Sequence, residues 1–255
     1  MVLLLALGPV RRVHGVHHAR GGLRLIRYFT GTATRGAEAV AFERGIGLMV
    51  QPKNAASYAD LVTRYPFWAA DNGAFTKDPA GFSEERFLAM LKLVKLQDHA
   101  EGCVFVVAPD CLRVLASGVV IGDAAGTIRQ FPAWALTIRA AGFRVAFVAQ
   151  DGLESLLDDV PWALLDVLFI GGSDEWKLSD EARCCAVEAK SHGKLVHMGR
   201  VNSFKRIKRA CEMLCDSADG TFLLFGPDQN LPRMLKWWTR AKHGLQAHLP
   251  WGVRR

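Results

Sequence analysis

Eight short segments of strand length, seven of them mainly apolar and each followed by a stretch with helical spacing, constrain this chain more than any other feature. The runs cover residues 25–29, 47–50, 67–70, 104–107, 145–148, 167–170, 195–198 and the segment around 216–219. Helical spacing or capping signals fall at 36–44, 57–65, from Ser83 onward, 127–141, briefly at 153–157, from Ser179, from Asn202 or Ser203, and at 231–242. Strands alternating with helices imply parallel pairing through right-handed crossovers. A count of eight favours closure into a single (β/α)8 TIM barrel, which typically takes about 250 residues. The chain has 255. The expectation is an α/β barrel domain over 25–255, preceded by an arm at 1–24.

That arm carries Arg11, Arg12, His14, His17, His18, Arg20 and Arg24 among glycines, with no apolar period. It reads as a flexible basic tail that could touch phosphates; its histidines lack a fixed element on which to build a metal site. The apolar start, Met1 to Gly8, has no basic residue ahead of it, so it does not read as a signal peptide. No uncharged apolar run is long enough to span a bilayer. Six cysteines without a C-x-x-C pair suggest reduced core thiols in the cytoplasm and no metal. The formal charge of +7 and a pI of about 9.3 suit a polyanionic partner.

In a barrel of this kind, chemistry gathers where the strands end. Here strands three, four, five and eight run into Asp71, Asp110, Gln150 and Asp219, and strand six into Gly171-Gly172. One polar residue after a strand usually caps a turn, and Asp78, Asp123, Asp151 and Asp216 fit that description. Four in register converge on one mouth. An ionised Asp can attack an anomeric carbon and hold a covalent glycosyl intermediate. A second carboxyl can protonate a departing purine, and N–H groups at a glycine pair can hold its carbonyl. Asp110 can accept from the N1–H and amino edge of guanine, while Gln150 can donate and accept there.

At these residues the sequence resembles the tRNA-guanine transglycosylase family, in spaced motifs from about residue 67 to 220. Ala70-Asp71-Asn72-Gly73-Ala74-Phe75 is similar to its D-S-G-G-F/Y segment, which makes Asp71 the acid/base and Phe75 a stacking ring. Pro109-Asp110-Cys111 resembles F-D-E-C, and Ala149-Gln150-Asp151-Gly152 resembles V-Q-G-G; both imply base readers. Ile170-Gly171-Gly172 resembles I-G-G, whose backbone holds the base carbonyl. His197-Met198-Gly199 resembles L-M-G and implies that Met198 covers the base. Cys215-Asp216-Ser217-Ala218-Asp219 resembles I-D-M-F-D and implies that Asp219 is the nucleophile. Apart from the resemblance, Phe75 and Met198 read as core residues.

The family's zinc subdomain has no counterpart, since no cysteine follows Cys215, and Gly220-Thr221-Phe222 stands where the family has P-T-R. These departures point away from tRNA and toward the DpdA-like branch of phages and bacteria, which exchanges guanine in DNA for a 7-deazaguanine such as preQ0. The resemblance thus implies a glycosyltransferase with no cofactor, whose partners are DNA and a free 7-deazaguanine base. The target guanosine would be flipped out or single-stranded. RNA as substrate, simple base release, and non-catalytic nucleic-acid binding are the alternatives. Arg200, Asn202, Lys205 and Arg206 are candidates for backbone contact beyond strand seven. Lys208 and Arg209 read as a solvated face, Trp176 as a stacking or structural ring, and Trp237-Trp238 as part of the outer layer.

Overall fold

Apolar strands of three to five residues bury both faces when they pair in parallel, so they need neighbours on each edge and cover on each side. The computed structural model describes residues 26–31, 38, 41, 44–58, 60–74, 82–95 and 102–248, and in it a closed barrel meets both needs. Its strands are β1 (Arg27–Thr30), β2 (Ile46–Val50), β3 (Trp68–Ala70), β4 (Cys103–Val107), β7 (Val145–Ala149), β8 (Val167–Ile170), β9 (Leu195–Met198) and β10 (Ser217–Gly220). They pair in chain order, all parallel, and β10 closes onto β1 with Phe29 opposite Asp219. The fold is therefore the expected (β/α)8 arrangement. The arm at 1–24 lies outside the described residues.

The helices are α1 (Ala55–Tyr58), α2 (Glu84–Lys95), α3 (Ala124–Ala140), α4 (Asp180–Ser191), α5 (Phe204–Glu212) and α6 (Pro227–His248). Their starts follow local capping chemistry. Ser83, Asp123, Ser179 and Ser203 each accept a hydrogen bond from a backbone N–H in the first turn. Of the helix expected at 36–44, only Glu38, Ala41 and Arg44 are described, and they are helical.

Three expectations need correction. The helix expected over 57–65 is instead α1 followed by a 3₁₀ turn at Val62–Arg64. Pro66 forces the residue before it out of the helical region, and Tyr65 is extended at φ −123° and ψ 145°. The segment at 153–157 forms 3₁₀ turns rather than an α-helix, so the β7–β8 crossover has no α-helix. Between β4 and α3 a hairpin appears where no strands were expected: β5 (Leu112–Val114) pairs antiparallel with β6 (Val120–Gly122).

Strand side chains alternate, and this divides the core in two. Phe29, Met49, Ala69, Phe105, Val107, Ala146, Val148 and Val167 fill the barrel interior. Their strand neighbours, such as Leu48, Ala70, Val106 and Leu168, pack under the helices. The interior rings meet edge-on, Phe29 with Phe67 at 5.1 Å and with Phe105 at 5.8 Å between centroids. Gly47 leaves the space that Phe67 occupies. A Cβ there would come within 2.3 Å of the Phe67 ring and 2.9 Å of Phe29. Gly47→Ala should therefore destabilise the protein by about 1–3 kcal/mol. Urea unfolding measures this, and an unchanged midpoint would show that the interior can relax.

Candidate active site

The interior parity continues upward into polar groups at the ends of β9 and β10. His197, Ser217 and Asp219 all point into the barrel. Ser217 lies opposite His197 in the strand register, and its Oγ is 2.8 Å from His197 Nδ1. His197 Nε2 is 2.9 Å from Asp219 Oδ1. The imidazole has no exposed surface. It stacks on Phe169 at 4.6 Å and meets Phe105 and Phe29 edge-on. Asp219 is thus a partly exposed carboxylate braced from below by a buried ring.

The loop after β9 braces the same carboxylate from the side. Gly199 has no side chain to collide with Phe169, where a Cβ would come within 2.8 Å. Arg200 then adopts a left-handed backbone, φ 59°, which a long side chain seldom does. In this conformation its N–H points to Asp219 Oδ2 at 3.5 Å, and its guanidinium donates to the carbonyls of Gly171 and Gly172. Such strain persists only where the surroundings enforce it. Beneath the loop, fully buried Lys177 donates to the Gly199 carbonyl and pairs with Asp174. Burial, then the charge of Arg200, pushes the Lys177 amine down to about 8.

Across the mouth, the ends of β3 and β4 carry Asp71 and Asp110. Asp71 accepts from Gln51 Nε2 and from the Asn72 N–H, both at 2.9 Å. Burial raises its pKa, and the charge of Asp219 raises it further, so the two carboxyls share one electrostatic environment. Asp110 accepts from Asn72 Nδ2 at 2.8 Å and from Gln150 Nε2 at 2.5 Å. Burial is the main cause that lifts Asp110 to about 6, and Asp71 adds to it. The structure therefore brings Asp71, Asp110 and Asp219 to one opening.

Buried Asn72 joins the two acidic strand ends: its amide bonds Asp110 and the Ala108 carbonyl, and its oxygen accepts from Ala74 N–H. Asn72 and His197 are the residues that the sequence reading passed over. His197 could have been found by asking which polar side chains share the interior parity of the acidic strand ends, and Asn72 by its place directly after Asp71.

The other expected site residues take different parts. Gln150 is 2% exposed, and both ends of its amide are engaged. It donates to Asp110 and the Cys111 carbonyl and accepts from Thr127 Oγ1. Gln150 therefore holds Asp110 and offers no free group to a base. Gly171 and Gly172 both donate their N–H groups to the Ala149 carbonyl, so neither is left for a ligand carbonyl. Gly172 is small because a Cβ would strike Trp176. Met198 sits on the opposite face of β9 from His197 and packs in the outer layer, away from the mouth. Phe75 lies outside the described residues.

The expected backbone contacts change as well. The Arg200 guanidinium is held by the two glycine carbonyls. Asn202 accepts from the N–H groups of Thr221 and Phe222, which fixes the chain after β10. Arg206 pairs with Asp174 and donates to the Arg200 carbonyl. Arg209 pairs with Asp180, and Lys208 with Glu212 at 3.5 Å. Of the basic residues on α5, Lys205 is exposed and has no acidic partner among the described residues. Trp176 is buried and donates to Glu154, a structural role. Asp216 likewise ties Lys190 to the Val196 N–H, and Asp151 holds Ser173.

The result is a mouth with one braced carboxylate and two carboxyls of raised proton affinity. That set can supply a nucleophile, a proton donor and an acceptor for a hydrogen-bonding ligand. Among the described residues no three His, Cys, Asp or Glu side chains are arranged to hold a metal ion, and no helix is long and apolar enough to cross a membrane. A scan against protein-family models and a search of curated proteins find no match for this chain.

Proposed function

We propose that the chain is a DNA-guanine transglycosylase that exchanges guanine for a 7-deazaguanine base through a covalent aspartyl-sugar intermediate. The observation that carries this reading is the braced Asp219 beside Asp71, whose proton affinity is raised by burial and by Asp219 itself. Asp219 attacks C1′ of the deoxyribose, and the electrons of the C–N bond leave with the base. Asp71 delivers the proton that the departing base needs. Asp110, steadied by Asn72 and Gln150, keeps one lone-pair direction on each oxygen for the N–H edge of guanine. The incoming base returns a proton to Asp71 and displaces Asp219, so configuration at C1′ is retained after two inversions. On this reading the protein works in the cytoplasm, where its DNA lies.

The test is incubation with guanine-containing single-stranded and duplex DNA, tRNA, and labelled guanine or preQ0. Label should enter DNA in preference to tRNA. Preferential labelling of tRNA would move the reading to RNA. Abasic sites without incorporation would make the protein a base-releasing glycosidase, and no reaction on any polymer would overturn the proposal.

His197 gives a narrower prediction. In His197→Phe the ring packing among Phe29, Phe105 and Phe169 survives, but Asp219 loses a hydrogen bond. A hydrogen bond to a charged group contributes about 1.5–3 kcal/mol. Exchange should then fall by about 10- to 150-fold in kcat, with KM for the free base little changed. An effect confined to KM would show that His197 shapes the base pocket instead.

A further inference from the structure

Resting on the reading of the mouth as a nucleic-acid site, we propose that α6 carries the tract that binds the polymer's phosphate backbone. Of the cations expected for that role on the β9 side, Arg200 and Arg206 are held by internal partners and Lys205 is left exposed. Helix α6 differs. Arg233, Lys236 and Arg240 recur at three- and four-residue steps, which sets them on one face of the helix. All three are exposed, and none has an acidic partner among the described residues. Asp228, in the first turn, is the one acid on the helix.

Rings hold the two arginines in place. Arg233 lies 5.8 Å from the centroids of both Phe222 and Trp237, and Arg240 lies 4.6 Å over Phe204. Stacking orients a guanidinium while leaving its N–H donors outward. Lys236 and Arg240 line a shallow depression together with Leu235 and Thr239.

The rings also link this face to the site. Phe222 follows β10 three residues after Asp219, and Phe204 opens α5 beside exposed Lys205. The face therefore flanks the ends of β9 and β10, where barrels commonly seat phosphate. From Arg233 to Arg240 the helix rises about 10 Å, the axial length over which one strand of a duplex places about three phosphates at about 3.4 Å each. Phe225, 75% exposed in the turn before α6, offers a ring on which a neighbouring base can stack. Charge and aromatic spacing together fit a nucleic-acid strand better than an apolar protein surface.

The decisive experiment measures anisotropy of a labelled guanine-containing single-stranded oligonucleotide with the full chain across a KCl series. R233Q/K236Q/R240Q should weaken binding at least about tenfold at 0.1 M salt. It should also flatten the plot of log K against log salt by about 2, at about 0.7 per phosphate contact on a single strand. R233K/R240K, which keeps the charges, should keep the slope, and so should K208Q, whose lysine is already paired. Asp219→Asn should bind like the parent, so this readout is independent of chemistry. An unchanged slope in the triple variant overturns the proposal, even if the parent exchanges bases. A lost slope in a parent that exchanges nothing leaves the tract standing and removes the transglycosylase. Loss of binding to anionic phospholipid vesicles with oligonucleotide binding intact would assign the face to a membrane surface and overturn the proposal.

Discussion

Asp219→Asn is expected to lose base exchange by a factor on the order of 10⁴–10⁶, the scale on which removing a covalent nucleophile acts. The substitution is nearly isosteric. The Asn oxygen can still meet His197 Nε2, so the ring stays packed among Phe169, Phe105 and Phe29. The thermal midpoint should move little, and nucleic-acid binding should persist. What disappears is the electron pair that bonds to C1′. Denaturing electrophoresis of a reaction quenched before the second base arrives should show a protein–DNA adduct in the parent and none in the variant. If the variant exchanges within about tenfold of the parent, Asp219 is not the nucleophile, and Asp71 becomes the carboxylate to test.

The barrel was legible in the sequence because its cause is local. A strand buried on both faces reads as a mainly apolar run, and seven such runs alternate with capped or amphipathic segments; the eighth, Asp216-Ser217-Ala218-Asp219, is read from its place in that alternation. The acidic strand ends were legible for a related reason: Asp71 and Asp110 each follow an apolar run, and Asp219 falls at the comparable point of the eighth segment. Orientation and saturation were not legible. Met198 and His197 are neighbours on one strand, and a shift of one residue swaps the outer layer for the barrel interior. The resemblance favoured Met198, whereas the register of β9 against β10 puts His197 on the Asp219 side.

Satisfied hydrogen bonds are equally hidden in a sequence. Gln150 looks available until Thr127, sixteen residues after Cys111, returns to its carbonyl oxygen and Asp110 takes its amide. Gly171-Gly172 looks like a donor pair until the Ala149 carbonyl collects both N–H groups. The basic run on α5 looks free until Asp174 and Asp180 arrive from elsewhere in the fold, and Glu212, four residues on along the same helix, takes Lys208. The β5–β6 hairpin did leave a signal, a Ser117-Gly118 turn followed by the β-branched run Val119-Val120-Ile121. Its exposed Val114, Leu115, Val119 and Val120 hide it, because they lack the alternation of a half-buried strand.

Asp110 carries the second large expected effect, and its sign separates recognition from stability. In the folded protein burial holds its pKa at about 6, against about 3.9 for an unperturbed Asp. Between those values the folded state binds more protons than the unfolded state. Stability therefore falls as pH rises through about 4 to 6, and the raised Asp71 contributes in the same direction. Base reading runs the other way. The N1–H and amino groups of guanine are donors, so Asp110 must be ionised to accept from them. KM for the free base should rise about tenfold for each pH unit below about 6 and level off above it, as one titrating acceptor requires. Asp110→Asn should raise KM and flatten the profile, while its melting temperature gains on the parent's as pH rises from 4 to 7. Asn matches Asp in size, but its amide nitrogen sets a donor against the N–H of Gln150 or Asn72, so the pH dependence of the difference, and not its absolute size, reports the charge. A parent whose KM is flat across that range, or a variant that keeps the parent's profile, would remove Asp110 from base reading and leave it as a buried link between β4 and β7.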